Sequence, residues 1–347
     1  GVVFPIYMAA VTEQVQFGQE NSPEIRDQLV CRGLNLFFSG EQPRIRPAND
    51  PRSGEDQLSS NLSKLRPGSI EAVGNDKSPV VLEVPSQKAT ARCDRMRLEI
   101  ESRRVTFDSK DEVVLSYDGS TIHAPMVRYQ APPKESAERV GSMLAAGNGR
   151  ILAVTDDNKA EPIEVRWTQE MRLERINGKP VLSLRGRPKF DMLGLGTLWA
   201  NHLKVTLRER KTDGSEDTLL PGDVVPEHIL ATGLVGMESP GLSGKVNSLD
   251  VHVQYKESGL QLGSPDGRDS QGQPLLAGNR RDKQSRAYHV VGDRLKVYLN
   301  VRERRPEVSY IGVQGDVVFR ETSQHGSTTE PLVVQAQTLS VKNADTT

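Results

Sequence analysis

The chain has 347 residues, 45 basic against 46 acidic side chains, a formal net charge of −1, 35% apolar residues and only 5% aromatics. So even a charge balance argues against a bulk nucleic-acid binder, which needs a basic excess, and no apolar run approaches the roughly 18 residues of a membrane helix. Charges of both signs are interspersed among patterned apolar positions, so the chain is not disordered either, and it must fold around a thin core.

Val2–Tyr7 reads as a strand from the outset, followed by the small-residue phrase Met8-Ala-Ala10-Val11. No charged leader or cleavage-site pattern precedes it, so any signal peptide is expected to have been removed or to lie outside this chain. From there one phrase recurs. A small or polar residue leads into a Leu, Met or Val anchor, which begins an apolar run at every second position. Its copies are Leu34 and Leu36 after Cys31, Met96, Leu98 and Ile100 after Cys93, and Val127 and Tyr129 after Ala124. Met171 and Leu173, then Leu203, Val205 and Leu207, continue the series. The last copies are Leu249, Val251 and Val253, then Leu295, Val297 and Leu299, and finally Leu339 and Val341. A period of two is the signature of a half-buried strand.

A second phrase, apolar-x-Ala-x-Gly, alternates with the first: Ile70-Glu-Ala72-Val-Gly74, Leu144-Ala-Ala146-Gly147, Ile229-Leu-Ala231-Thr-Gly233 and Ile311-Gly-Val313-Gln-Gly315. The glycines recur at roughly 80 residues, which makes about four and a half copies of one larger repeat. Asp118-Gly119 and Asn177-Gly178 are hairpin dipeptides between alternating runs. Pro132–Met143 is the one stretch that suggests a short helix. Polar stretches at 40–68, 211–226 and 256–285 fall between strands of the array, so they read as excursions from one continuous structure spanning 1–347.

Signals for catalysis, cofactors or metals are poor. Gly241-Leu-Ser-Gly244-Lys245 has Val246 where a phosphate-binding loop needs Ser or Thr, and Gly194-Leu-Gly196 lacks a third glycine. His123, His202, His228, His252, His289 and His325 are scattered, and His202 and His252 sit around anchor strands, where a structural role is expected. Cys31 and Cys93 each stand three residues before an anchor and are expected to be free, partly buried thiols. Asn61-Leu-Ser63 is a formal glycosylation sequon. The expectation is a protein that is not an enzyme, with no catalytic residues, no cofactor and no metal.

Each repeat is too small to bury its own apolar face, so neighbours must complete it. A long two-sheet stack does this with one apolar strip between the sheets. The anchor strands and the Ala-x-Gly phrases, notably Ile229–Val235, Ile311–Val317 and Met96–Ile100, resemble the OstA-like family of periplasmic lipopolysaccharide-transport and organic-solvent-tolerance proteins, which includes the LptA- and LptC-like bridge proteins. The resemblance extends from about Ile6 to Val341 outside the three long stretches, although a bridge protein is about half as long. It implies an all-β, elongated, repetitive antiparallel β-jellyroll, a V-shaped two-sheet stack or β-taco. It also implies a periplasmic or cell-envelope location, acyl chains of lipopolysaccharide or another glycolipid held in an apolar groove, and end-to-end pairing with other β-jellyroll envelope proteins.

On that reading the anchor-run residues line a lipid groove, with Val2–Val15 and Leu332–Val341 as the pairing edges. Arg95, Arg97, Arg128, Arg172, Lys204, Arg294 and Lys296 alternate with the groove positions, so they are expected on the solvated face. The main other reading is a structural β-solenoid scaffold or adhesin without lipid. A carbohydrate-active β-helix enzyme would need carboxylates clustered on one repeat face, and none is evident.

Overall fold

A computed structural model describes residues 8–10, 15–16, 27–39, 66–133, 135–136, 140–153, 163–192, 196–209, 224–239, 242–255, 287–302, 305–322 and 332–342. Among these there is no α-helix, and no helix is long and apolar enough to cross a membrane. The protein is all-β. The described residues form two compact units, one ending at Pro180 and the other beginning at Val181.

The first unit opens with β1 (Met8–Ala10), β2 (Val15–Gln16), β3 (Gln28–Val30), β4 (Gly33–Ser39) and β5 (Arg66–Val73). It continues with β6 (Val80–Val84), β7 (Ala89–Cys93), β8 (Arg95–Glu99), β9 (Arg104–Tyr117) and β10 (Ser120–Gln130). β11 (Ser142–Ala146), β12 (Gly149–Ala153), β13 (Ile163–Trp167) and β14 (Glu170–Ile176) complete it. β9 and β10 are long enough to serve two rows of strands. Arg104–Asp108 and Met126–Gln130 belong to a first row, β1-β4-β5-β8-β9-β10-β11-β14. Their other halves belong to a second row, β2-β3-β6-β7-β9-β10-β12-β13. A bulge between Ala124 and Met126, at Pro125, separates the halves. Pro there donates no ladder bond, and a bulge re-aims the strand. The turn between the halves' hairpin strands is Asp118-Gly119, both residues at positive φ (44° and 84°), as the dipeptide predicts.

The second unit contains β15 (Lys179–Arg185) from Val181 onward, β16 (Lys189–Met192), β17 (Gly196–Trp199), β18 (His202–Glu209) and β19 (Val224–Glu238). β20 (Leu242–Tyr255), β21 (Ala287–Arg302), β22 (Arg305–Thr322) and β23 (Val333–Lys342) follow. From Val181 onward β15 pairs with β18, and the row runs β15-β18-β19-β20-β21-β22-β23. The far half of β19 also pairs with β17, which pairs with β16.

Three expectations need correction. The ladders are not all antiparallel, because β20 and β21 run parallel from Leu242↔Tyr288 to Tyr255↔Val301. Parallel neighbours need a connection of a dozen residues or more, and the stretch between Tyr255 and Ala287 is long enough. No helix occurs in the described part of 132–143, where Ser136 N–H donates to Pro133 O in a turn and β11 begins at Ser142. Two of the three long stretches are shorter than read, since β5 starts at Arg66 and β19 at Val224. The remainder of 40–68 and 211–226, all of 256–285 and Asn61 lie outside the described residues.

The two sequence phrases meet at one place in the structure, the step between rows. Gly74 N–H donates to Asp94 O at 2.7 Å, and Gly147 N–H donates to Gln169 O at 2.7 Å. Asn201 N–H donates to Gly233 O at 2.9 Å. Asp94, Gln169 and Asn201 each stand two residues before an anchor, and each glycine stands two residues after its Ala. At Gly315 (φ 79°) a Cβ would collide with the Asp293 carboxylate, which accepts a hydrogen bond from Asn247 Nδ2 at 2.9 Å. Only glycine adopts this backbone without strain and leaves room for the acid.

Gly149 lies directly opposite Trp167, and Gly236 opposite Trp199, so each indole covers a glycine. A Cβ on Gly149 would collide with the Trp167 ring and press on the His123 carbonyl, neither of which can easily yield. Gly149→Ala is expected to destabilise the protein by about 1–3 kcal/mol, whereas Gly33→Ala, with open space around its Cβ, changes stability by under about 0.5 kcal/mol. Urea denaturation of both variants tests this, and equal midpoints would contradict it.

Candidate functional site

Ladder register decides which anchor residues share a layer. In the first row Leu34, Ala72, Met96, Phe107, Val127, Ala145 and Met171 stand opposite one another in succession. All are buried, Ala72, Val127 and Ala145 completely. Small residues alternate with large ones along much of this layer, so side chains interdigitate and leave little void. The next layer on the same face is Leu36, Ile70, Leu98, Val105, Tyr129, Met143 and Leu173, again in unbroken register. It is graded. Tyr129, Met143 and Leu173 are buried, but Leu36, Ile70, Leu98 and Val105 are half-exposed. One step further out, Ile100 is 37% exposed.

The second unit repeats the plan. Leu184, Leu203, Ala231, Leu249, Leu295, Val313 and Leu339 form one layer, buried except for half-exposed Leu339. Leu182, Val205, Ile229, Val251, Val297, Ile311 and Val341 form the next. Val251 is buried, Val341 is exposed, and the other five are half-exposed. Beyond them Val253 is buried, while Leu207 and Leu299 are half-exposed.

All the residues singled out from sequence thus fall on these layered faces of their own unit. The second row of the first unit carries a further aliphatic layer, outside the anchor runs: Leu29, Leu82, Ala91, Leu115, Ile122, Ile151 and Val165. Leu82, Leu115, Ile122 and Ile151 are half-exposed.

One register correction applies. The second copy of the Ala-x-Gly phrase reads from Met143, so Ala145 and not Ala146 occupies the anchor layer and Leu144 points to the other face. A strand slipped by one residue presents its opposite face. Arg95, Arg97, Arg128, Arg172, Lys204 and Arg294 are exposed and Lys296 half-exposed, alternating with the apolar positions as expected. Arg172 pairs with Glu170 at 3.2 Å, and Arg95 lies 3.8 Å from Glu71, across the ladder from their own apolar face. Gly244 and Lys245 lie within strand β20 and not in a loop before a helix. A depression of about 470 Å³ lies among Trp199, Val235, Val246, Val291 and Gly315 and includes none of the predicted groove residues.

Cys31 and Cys93 are free and buried. Burial raises both thiol pKa values. That of Cys93 is pushed up to about 12, first by burial and then by the carboxylates of Asp94 and Asp108.

Scattered along the sequence, His228 and His252 lie directly opposite each other on β19 and β20. Their rings stack at 4.6 Å, and both Nε2 atoms point at one oxygen of Asp250, at 2.6 Å for His228 and 3.1 Å for His252. The signal was present in sequence. His228 immediately precedes Ile229 and His252 immediately follows Val251, and aligning those two anchors aligns the histidines. No protein-family model and no curated protein sequence matches this chain.

Truncation to alanine along β8 and its continuation reads the exposure gradient directly. Met96→Ala, in the buried layer, is expected to cost about 2–5 kcal/mol. Ile100→Ala is expected to cost less than about 1 kcal/mol, with Leu98→Ala between them. A flat series in chemical denaturation would show that the outer layers are as closed as the inner one. For Cys93, the unfolded thiol ionises near its ordinary value of 9.0 and the folded one near 12. Its contribution to stability is therefore complete below pH 9.0 and declines as the pH rises toward 12. The stability gap between the native protein and Cys93→Ala is expected to narrow across that window, and a constant gap in denaturation titrations would refute this.

Proposed function

We propose that this chain is a non-enzymatic cell-envelope protein that binds or conducts amphipathic lipid, of lipopolysaccharide type, along aliphatic faces arranged as in the OstA-like β-jellyroll family. The observation that carries this reading is the exposure gradient within each apolar face. An anchor layer is closed, and the layer beside it, still wholly aliphatic or aromatic, remains half-exposed at Leu36, Ile70, Leu98 and Val105 and again at Val205, Ile229, Val297 and Ile311. An acyl chain laid along them gains about 0.8 kcal/mol per methylene removed from water and demands no directional contact.

The basic residues on the opposite strand face remain in solvent, which suits a periplasmic carrier whose apolar face alone contacts the ligand's tails. End-to-end assembly belongs to the same proposal. β23 pairs with β22 on one side and with no other strand among the described residues, and Leu332, Val333 and Val341 near it are about half exposed. An open edge of this kind templates addition of another strand. The matching edge at Val2–Val15 lies largely outside the described residues.

A scaffold or adhesin that carries no lipid is the second reading. It is favoured by the closed anchor layers, in which Val127, Ala145 and Ala231 are completely buried.

Photo-crosslinking separates the two. A photoreactive residue at Leu98 or Val205 is expected to capture purified lipopolysaccharide presented in detergent micelles, while one at Arg97 or Lys204, on the other face of the same strands, is not. No capture at either apolar position, or equal capture on both faces, would overturn the lipid-carrier reading and leave the scaffold.

A further inference from the structure

The outer face of the second unit carries an arrangement that lipid binding does not use. Register places His228, His252, Tyr298 and Tyr310 in one line across β19, β20, β21 and β22. These positions alternate with Ile229, Val251, Val297 and Ile311, so they face away from the aliphatic layers. The His252 ring stacks on His228 at 4.6 Å and on Tyr298 at 5.0 Å, and Tyr310 meets Tyr298 edge-on at 5.5 Å. The stack holds the two imidazoles side by side. Asp250, two residues before His252 on the same face, lies diagonally across from His228, and its Oδ1 receives both Nε2 atoms.

We propose that His228, Asp250 and His252 form a binding site for a divalent transition-metal ion of the zinc class, which clips β19 to β20. The three ligand atoms lie within 4.8 Å of one another. Two imidazole nitrogens and one carboxylate oxygen suit zinc, cobalt, nickel or copper, whereas magnesium and calcium require oxygen ligands. Tetrahedral zinc with bonds of about 2.0–2.2 Å separates its ligand atoms by roughly 3.3 Å. The His252–Asp250 pair at 3.1 Å is close to that spacing already. To converge on one ion, the His228 and His252 rings must turn out of their 25° stack, and the His228–Asp250 pair must open from 2.6 Å by several tenths of an ångström; the three side chains, 27–36% exposed, have room to do so. Partial exposure also leaves the fourth position to water, so the ion exchanges readily and is not entombed.

Lys296 is the competing cation. It lies opposite Asp250 in the parallel ladder and rests over the Tyr298 ring at 5.1 Å. An ion held by two imidazoles displaces its influence on the carboxylate, because directed metal–ligand bonds outweigh a solvated ammonium several ångströms away.

The test uses zinc ion alone with the full chain. Isothermal titration calorimetry is expected to give one site that weakens by roughly tenfold or more in His228→Ala, His252→Ala and Asp250→Asn, while His202→Ala leaves it unchanged. Zinc is also expected to raise the melting temperature of the native protein, because a ligand that binds only the folded state stabilises it, and the double histidine variant should lose that rise. Copper bound in place of zinc should give an electron paramagnetic resonance spectrum with two nitrogen ligands, a readout independent of variant stability. Absence of zinc binding by the native chain, binding unaltered in the double variant, or a copper spectrum without imidazole nitrogen would each overturn the proposal.

Discussion

The constraint on which the rest of the structure depends is the step where a strand leaves one row and enters the next. There a glycine on one strand meets a polar residue, usually Asp or Asn, on its neighbour: Gly74 with Asp94, Gly147 with Gln169, Gly233 with Asn201, and Gly315 with Asp293. The glycine and the polar residue are each displaced by two from an apolar anchor. Locking the step therefore locks the anchors opposite each other. Slipping a strand by one residue at Gly74, Gly147 or Gly233 would break the step's hydrogen bond and turn that strand's anchors to the other face.

A thin core suffices once that register holds. Leu34 to Met171 in the first unit, and Leu184 to Leu339 in the second, are single lines of side chains. Each line asks only every second residue of its strands to be apolar, which is why a chain of 35% apolar content can form so many strands. The second line of each face is equally apolar and less covered. If acyl chains complete it, the ligand takes the place of missing core, and binding and stability are coupled through mass action. The proposed metal site lies on the other face of the same strands, β19 and β20.

Much of the fold was legible in the sequence. Alternation located the anchor strands, and Asp118-Gly119 announced a turn that its positive φ values bear out. The glycine phrases marked the row changes. What misled was local ambiguity. Met143-Leu144-Ala145-Ala146 offers two phases of alternation, and only pairing with β10 and β14 selects Met143 and Ala145 as the inward pair. Pro132–Met143 suggests a short helix by composition, but its described residues hold a turn at Pro133–Ser136 and the start of β11.

The amino-acid sequence alone set the period of each anchor strand and the Asp118-Gly119 turn, because these follow from backbone sterics and side-chain alternation within a few residues. Tertiary structure decided the parallel pairing of β20 with β21, the exposure gradient from Met96 to Ile100 and the meeting of His228, Asp250 and His252. Those depend on which strand lies beside which. Distant stretches of chain must be brought into register before a half-covered leucine or a pair of facing imidazoles exists at all.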